Sequence, residues 1–232
     1  MLTSLEKTAG NKMTDVLTIG VDIGGTRTKY GLVNTLTGAV IHTVVQPTEK
    51  QDEVQFLKQV DTAIGEFKAV ALQIGCSIKS IGFGVPGFVN EEGVVETTYG
   101  FLAFMESYPL RSIIEKQFGI SCSLDNDART VCLGEALYGK GKHYKRVLTL
   151  TLGTGVGFGL VVNGHFTDPL PVAHMGGHMK INDDGDACYC GKKGCLEALV
   201  SSTGILSLAR HHNWNGSLLP FFFLPFFTRC TE

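Results

Sequence analysis

The sequence predicts an α/β protein built from two related lobes with a cleft between them. β-rich segments alternate with helical ones along most of the 232 residues, and apolar residues make up 44% of the chain, enough for a substantial core. A strand, a glycine-rich turn and a returning strand occur twice, at residues 16–33 and 146–162. A duplicated unit of this kind indicates an internal repeat, and two lobes related by the repeat are the simplest architecture that follows.

The first part of the chain is predicted to be a three-stranded antiparallel meander, then a helix and two further strands. The meander strands are bounded by turn residues and cover 16–21, 27–33 and 39–45. Apolar residues at helical spacing predict a helix over 53–74. The remaining elements are a strand, a short helix and a strand, at 80–85, 110–118 and 120–124.

The second part restarts the pattern. A helix over 127–138 leads to strands at 146–152 and 156–162, and a helical segment runs to about Arg210. We therefore expect an N-terminal α/β lobe over 16–125 and a partial C-terminal lobe over 126–212. Residues 1–15 are predicted to be a flexible tail. The stretch 213–232 is an atypical Phe- and Pro-rich tail, whose apolar run is interrupted by two prolines and is too short to span a bilayer.

Composition argues against several classes of protein. A net charge of -2 and a pI near 6.4 give no electrostatic footprint for nucleic acid or for an anionic membrane. The N-terminal residues lack the apolar region of a signal peptide, and an odd count of seven cysteines does not suggest a disulfide framework. A cytoplasmic protein that binds neither nucleic acid nor membrane is expected.

Two glycine-rich turns could cradle phosphate groups. Gly24 and Gly25 leave backbone N–H groups open to an anion, Thr26 adds a hydroxyl donor, and Asp22 could hold Mg²⁺ through water. The stretch Gly153-Thr154-Gly155-Val156-Gly157 offers a similar cradle without the acid. The simpler interpretation is a pair of ordinary hairpin turns. Neither turn is a P-loop, since no Gly-Lys-Ser/Thr opens a helix.

Asp125-Asn126-Asp127 follows a predicted strand and opens a helix. Helix capping is the simpler interpretation, because Asp and Asn satisfy the unpaired N–H groups of a first turn. A carboxylate at the C-terminal edge of a strand could also accept a hydroxyl proton during phosphoryl transfer, with Asn126 orienting the substrate.

Three cysteines within eight residues indicate a metal site. Cys188, Cys190 and Cys195, with one histidine, would give the Cys₃His set of a structural zinc. Four protein ligands leave no open position, so this metal would brace the fold. His165, His174 and His178 are all candidates for the imidazole on sequence grounds.

These motifs, in this order, resemble the ROK family of repressors, open reading frames and kinases over residues 16 to 210. The resemblance is carried by six short motifs, at 22–26, 84–87, 126–128, 152–157, 177–179 and 188–197. It implies an actin/hexokinase-like fold of two ribonuclease-H-like lobes, with ATP and Mg²⁺ in the cleft.

By the same resemblance the chain is a glucokinase-like sugar kinase with Asp127 as the general base. The sugar would be bound by Gly87, Asn126, Asp127, His178 and Glu197, and His178 would also complete the zinc site. ATP and Mg²⁺ would be held by Asp22, Gly24, Gly25, Thr26, Lys29, Gly153, Thr154, Gly155 and Gly157. A homodimer is one arrangement that the family would suggest.

The sequence departs from the family pattern in two places, and these departures bear on which sugar is bound and on whether the chain is an active kinase. Met175 stands where kinases of the family usually carry a Glu, which leaves the sugar open. The resemblance also stops near Arg210, so a truncated or frame-shifted chain is expected, and an inactive sugar-binding remnant is the main alternative. A sugar-responsive regulator is the less favoured alternative, because only 15 residues precede Val16.

Overall fold

A computed structural model describes residues 16–97, 102–166 and 174–214, in which ten strands and five α-helices are formed. The strands are β1 (Val16–Ile23), β2 (Arg27–Asn34), β3 (Val40–Pro47), β4 (Ser77–Val85), β5 (Phe88–Val89), β6 (Val95–Glu96), β7 (Ser121–Asn126), β8 (Arg146–Leu152), β9 (Val156–Val162) and β10 (His165–Phe166). The helices are α1 (Glu53–Gln73), α2 (Leu110–Phe118), α3 (Asp127–Leu137), α4 (Leu196–Val200) and α5 (Ser202–His211), and a 3-10 turn covers Met175–His178.

The first lobe is a five-stranded mixed sheet in the order β3-β2-β1-β4-β7. The meander of β1, β2 and β3 is antiparallel, as predicted, whereas β4 and β7 pair in parallel with their neighbours. Every second residue of β1 is buried, from Leu17 to Ile23. This alternation follows from the two-residue period of a strand, which directs one set of side chains into the core.

Helix α1 covers this core. Phe56, Val60, Ile64 and Phe67 are fully or almost fully buried and belong to the same cluster as the β1 side chains. Each such side chain contributes about 1.5–3 kcal/mol by its burial. The helix begins where Asp52 accepts hydrogen bonds from two first-turn amides. The predicted apolar face is buried from Val60 onward, but in the first turn Val54, which was expected on that face, is exposed and Phe56 is buried instead.

The second lobe repeats the hairpin in a smaller sheet, with β9 between β8 and β10. Both glycine-rich turns connect antiparallel strands, β1 to β2 and β8 to β9, as the internal repeat predicted. Helix α3 packs on this sheet through Cys132 and Ala136, which meet Val147 and Val161. Within the described residues this sheet has three strands, against five in the first.

The helical segment predicted to run to Arg210 is divided in two. Ser201 separates α4 from α5, and its hydroxyl accepts the Gly204 N–H as the N-cap of α5. The predicted tail at 1–15 lies outside the described residues, as do residues 215–232 of the tail predicted over 213–232. No helix in the described ranges is long and apolar enough to cross a bilayer.

Candidate active site

The predicted catalytic and phosphate-binding residues of the first lobe meet at one edge of its sheet. Asp22 at the end of β1 is in register with Gly84 of β4, and Gly84 is in register with Asp125 of β7. The carboxyl ends of these parallel strands therefore open on the same side, the place where α/β sheets form ligand sites.

The turn after β1 is stabilised by Thr48, a residue that was not among the predicted site residues. The Gly24 N–H donates to the Arg27 carbonyl (3.1 Å), and the Thr48 hydroxyl donates to the Gly24 carbonyl (2.7 Å). The Thr48 N–H also donates to the Thr26 carbonyl (3.0 Å). The N–H groups of Gly25 and Thr26 make no hydrogen bond within the described residues, so two donors remain for an anion.

Lys29 pairs with Asp22 across the same hairpin. Its ammonium lies 3.1 Å from the Asp22 carboxylate, and both side chains are exposed. An exposed pair of this kind adds little stability. It does place one cation and one anion beside the open donors of the turn.

Asn126 uses both ends of its amide within the protein. Its Oδ1 accepts from the N–H groups of Ala128 (3.0 Å) and Arg129 (3.3 Å), so the capping interpretation is confirmed. Its Nδ2 donates to the Gly87 carbonyl at 3.2 Å. Gly87 has φ +100°, and a Cβ there would collide with the Glu96 carbonyl, so only glycine fits. The two predicted substrate residues are thus bonded to each other.

Asp127 is the half-buried first residue of α3. Its Oδ1 accepts the Ala128 N–H at 2.8 Å. Burial, the largest effect, and the negative charge of Asp22 raise the pKa of the Asp127 carboxyl, while hydrogen bonds from Ala128 and Asn126 oppose the rise. A raised pKa brings a carboxylate closer to the range in which a general base works best.

Glycines let α3 approach both sheets at this point. A Cβ on Gly84 would lie 2.6 Å from the Thr130 hydroxyl and 3.3 Å from the Asp127 Cα. A Cβ on Gly157 would collide with Ala128. Gly157, predicted as a phosphate ligand, therefore also serves as a packing position for the helix that carries Asp127.

The second glycine turn is joined through a carboxylate to α4, the helix that follows the cysteine cluster. Glu197, on α4, accepts the Val156 N–H on its Oε2 at 2.7 Å. The Gly153 N–H donates to the Gly155 carbonyl (3.0 Å), and the Ser202 N–H donates to the Gly153 carbonyl (2.8 Å). In the described residues the N–H groups of Thr154 and Gly155 have no partner, so two donors of the predicted cradle remain open.

The other oxygen of Glu197 is buried without a hydrogen-bond partner among the described residues. The Nδ1 atom of His178 lies 3.9 Å from this oxygen. A buried carboxylate oxygen without a donor is costly, so this position suits a ligand that brings an O–H or N–H group.

The four predicted zinc ligands converge. The donor atoms of His178, Cys188, Cys190 and Cys195 all lie within 4.8 Å of one another. The Cys190 and Cys195 sulfurs are 3.6 Å apart, and the Cys188 sulfur is 3.5 Å from His178 Nδ1. Tetrahedral zinc with Zn–S bonds of about 2.3 Å places its sulfurs about 3.8 Å apart, so the set fits the ion.

His178, rather than His165 or His174, is the imidazole of this cluster. His165 lies on β10, and the His174 ring lies against Phe88 with centroids 5.1 Å apart. The other ring nitrogen of His178 is 3.2 Å from the Tyr189 hydroxyl, a contact that fixes the ring orientation. Burial, opposed mainly by a backbone hydrogen bond, raises the pKa of the Cys188 thiol to about 12, so metal binding there must displace a proton.

The predicted site residues thus form two groups that meet at α3. The first-lobe group comprises Asp22, Lys29, Gly87, Asn126 and Asp127. The second-lobe group comprises Gly155, Gly157, His178, Glu197 and the three clustered cysteines. Gly157 and Ala128 form the junction. No hydrogen bond between described residues joins the two glycine turns directly. Met175 opens the 3-10 turn that ends at His178.

Comparison with known proteins establishes the family. A model of the ROK family matches residues 18–219, and the chain therefore belongs to this family. The match ends at residue 219, within the Phe- and Pro-rich stretch and beyond the Arg210 boundary predicted from the sequence.

Characterised relatives and solved structures include both kinases and a regulator. A glucokinase of Halalkalibacterium halodurans is 35% identical over 208 residues, which cover 85% of this chain and 60% of the relative. A xylose repressor of Caldicellulosiruptor bescii is 29% identical, covering 83% of this chain and 48% of the repressor. A ROK hexokinase structure from Thermus thermophilus aligns with a TM-score of 0.74 at 27% identity, covering 89% of this chain and 67% of that chain.

The fold prediction is confirmed by these structures. A ROK family glucokinase from Streptomyces griseus, in complex with glucose and AMPPNP, also aligns, with a TM-score of 0.69 at 28% identity over 84% of this chain and 60% of that one. The chain spans about 60% of the length of the glucokinases it matches.

Proposed function

We propose that this chain carries the sugar site and much of the phosphate site of an ATP-dependent kinase for a hexose or hexosamine, with the C6 hydroxyl of glucose as the first candidate. The observation that carries the proposal is the setting of Asp127. This carboxylate, with its raised pKa, lies at the carboxyl edge of the first sheet and beside the helix–sheet junction with the second lobe.

In the proposed reaction the Asp127 carboxylate accepts the proton of the sugar hydroxyl. The hydroxyl oxygen forms a bond to the γ-phosphorus of ATP, and the bond between that phosphorus and the β,γ-bridging oxygen breaks. The electron pair leaves with ADP. Transfer of this kind depends on positioning and charge stabilisation rather than on covalent chemistry by the protein.

The residues present fit the phosphate groups and their metal. Gly25 and Thr26 in one turn, and Thr154 and Gly155 in the other, have backbone N–H groups that no described residue accepts from, and these can bind anionic oxygens. Asp22 would hold Mg²⁺ through water, and Lys29 beside it would face the phosphates. When bound, Mg²⁺ supplies neutralisation of the charge on the transferring phosphoryl group.

The sugar would be bound by Glu197 and His178 on one side and by the 126–127 segment on the other. The Oε1 of Glu197, which has no hydrogen-bond partner among the described residues, suits a sugar hydroxyl as donor. Because the Asn126 amide is already used by protein groups, we assign Asn126 and Gly87 the task of shaping the wall beside Asp127. Zinc on His178 and the three cysteines would hold His178 and α4 in place.

ADP release from ATP, over glucose, N-acetylglucosamine, N-acetylmannosamine, mannose and fructose, tests this function. The proposal expects sugar-dependent ADP release and a sugar phosphate as the product. Absence of ADP with every sugar, in folded protein that contains zinc and binds a sugar by calorimetry, would favour the inactive sugar-binding alternative.

The regulator remains a second candidate because the xylose repressor is among the relatives. It would bind a sugar without turnover, and operator DNA binding would respond to that sugar. A cytoplasmic location and a homodimer remain predictions, which fractionation and light scattering would check.

A further inference from the structure

Arg129 is a nearly buried cation in the first turn of α3, two residues after the proposed base. Its side chain is only 10% exposed. A cation at a helix N-terminus opposes the helix dipole, and a buried charge needs partners. Contacts of the Arg129 side chain with other groups must therefore offset these two costs.

The first contact ties Arg129 to the backbone that precedes Asp127. Its Nε donates to the Asp125 Oδ1 at 2.8 Å, and the same oxygen accepts the Asn126 N–H at 2.7 Å. One carboxylate oxygen thus joins the arginine to the strand–helix junction at β7 and α3.

The second contact reaches the other lobe. The Arg129 guanidinium lies 4.1 Å from the ring centroid of Phe166 on β10. A guanidinium over an aromatic face at this distance is a favourable cation–π contact, and it is stronger when shielded from water. Arg129 therefore connects the junction before Asp127 to the second sheet.

We propose that Arg129 is a positioning residue for Asp127, acting through Asp125 and Phe166. This inference rests on the proposed kinase function, since it concerns the base of that reaction. Arg129 holds the 125–127 backbone at a fixed distance from the second lobe, and that backbone determines where the Asp127 carboxylate lies relative to the sugar hydroxyl. It touches no substrate itself.

The test compares Arg129→Met, which removes the charge and donors at similar length, with Arg129→Lys, which keeps the cation. Arg129→Met is expected to lower kcat roughly 10- to 100-fold, the effect of displacing a reacting group by about 1 Å, while the sugar KM changes less than about 3-fold. Arg129→Lys is expected to recover most of kcat. Arg111→Met is the matched control, because Arg111 is a half-buried arginine on α2 that donates to the Glu91 carbonyl.

A double-mutant cycle then asks whether Arg129 acts through Asp125. Adding Arg129→Met to Asp125→Asn is expected to lower kcat much less than Arg129→Met does alone. Full additivity, or an unchanged kcat in a destabilised Arg129→Met protein, would overturn the inference.

Amide hydrogen exchange supplies a readout that does not need turnover. In Arg129→Met, exchange at the Asn126 amide is expected to rise at least about 10-fold, while the Ile19 amide in β1 stays unchanged. If the wild-type chain turns over no sugar, the proposed function fails, and exchange alone decides the positioning role. Unchanged exchange at Asn126, or an equal rise at Ile19, would contradict it.

Discussion

Gly155 lies against the buried carboxylate of Glu197, so a methyl group there is predicted to break the link between the second glycine turn and α4. A Cβ on Gly155 would lie 2.7 Å from Glu197 Oε2, the oxygen that accepts the Val156 N–H. Real Cβ atoms do not approach an oxygen that closely, so the carboxylate must move. Glu197 is 5% exposed and has little space to move without lengthening its hydrogen bond.

The expected magnitude follows from that bond. Weakening a hydrogen bond to a charged group costs about 1.5–3 kcal/mol. Replacing Gly by Ala restricts the unfolded chain and returns about 0.4–1 kcal/mol. Gly155→Ala should therefore lower the free energy of unfolding by roughly 1–2 kcal/mol.

Gly153, two residues earlier in the same turn, offers a matched control. A Cβ on Gly153 would meet no atom within 4 Å. Gly153→Ala should be neutral or slightly stabilising, because only the unfolded-chain effect remains. That effect is common to both variants, so their difference, roughly 1.5–3 kcal/mol, isolates the Glu197 contact.

Equilibrium urea unfolding of the zinc-loaded proteins, followed by circular dichroism, measures this difference. The slope of free energy against urea should be the same in both variants. If Gly155→Ala is within about 0.5 kcal/mol of Gly153→Ala, the Glu197 link does not contribute as inferred.

Two further predictions concern the metal site and the base. Cys195→Ser should reduce bound zinc from about one ion per chain to near zero and lower the melting temperature, whereas the control Cys122→Ser should keep the zinc. Atomic absorption measures the metal. Retained zinc in Cys195→Ser would contradict the ligand assignment. Asp127→Asn should be more stable than wild type at pH 7, because the folded-state pKa of Asp127 is raised above 3.8 and the ionised carboxylate therefore destabilises the folded chain. This gain in stability should be absent below pH 3.8, grow as the pH rises through the raised pKa of Asp127, and stay constant above it. Thermal melts at a series of pH values measure it. An Asp127→Asn protein that is less stable than wild type at pH 7 would contradict the inferred direction of the pKa shift.

Local patterns predicted most of the first lobe. The apolar alternation of β1 and the helical spacing of α1 depend on neighbours in sequence, and both elements form close to their predicted limits. The four members of the Cys₃His cluster could also be found, because three of them lie within eight residues and only the histidine had to be chosen.

Contacts between distant residues could not be predicted in the same way. Glu197 and Val156 are 41 residues apart, and their hydrogen bond depends on how α4 packs beside the β8–β9 turn. Thr48 closes the first turn only because the β2–β3 register places Pro47 opposite Arg27. The sequence did contain a local signal for the break between α4 and α5, because Ser201 is a residue type that favours the N-cap position. The apolar spacing on both sides of Ser201 nevertheless led to the prediction of one continuous helical segment.

Asn126 shows how a motif can be located correctly while its contacts stay unknown. The sequence left capping and substrate orientation as alternatives. The structure shows that the amide caps α3 and holds the Gly87 carbonyl, so its effect on a sugar would come through the backbone and Asp127.

Comparing sugar-dependent ADP release by wild-type protein and by Asp127→Asn, in preparations of equal zinc content, tests the central claim most directly. The isostere keeps an oxygen for the Ala128 N–H but cannot take a proton, so turnover should fall at least about 100-fold while zinc and fold are retained. Turnover within about 3-fold of wild type would contradict the assignment of Asp127 as the base.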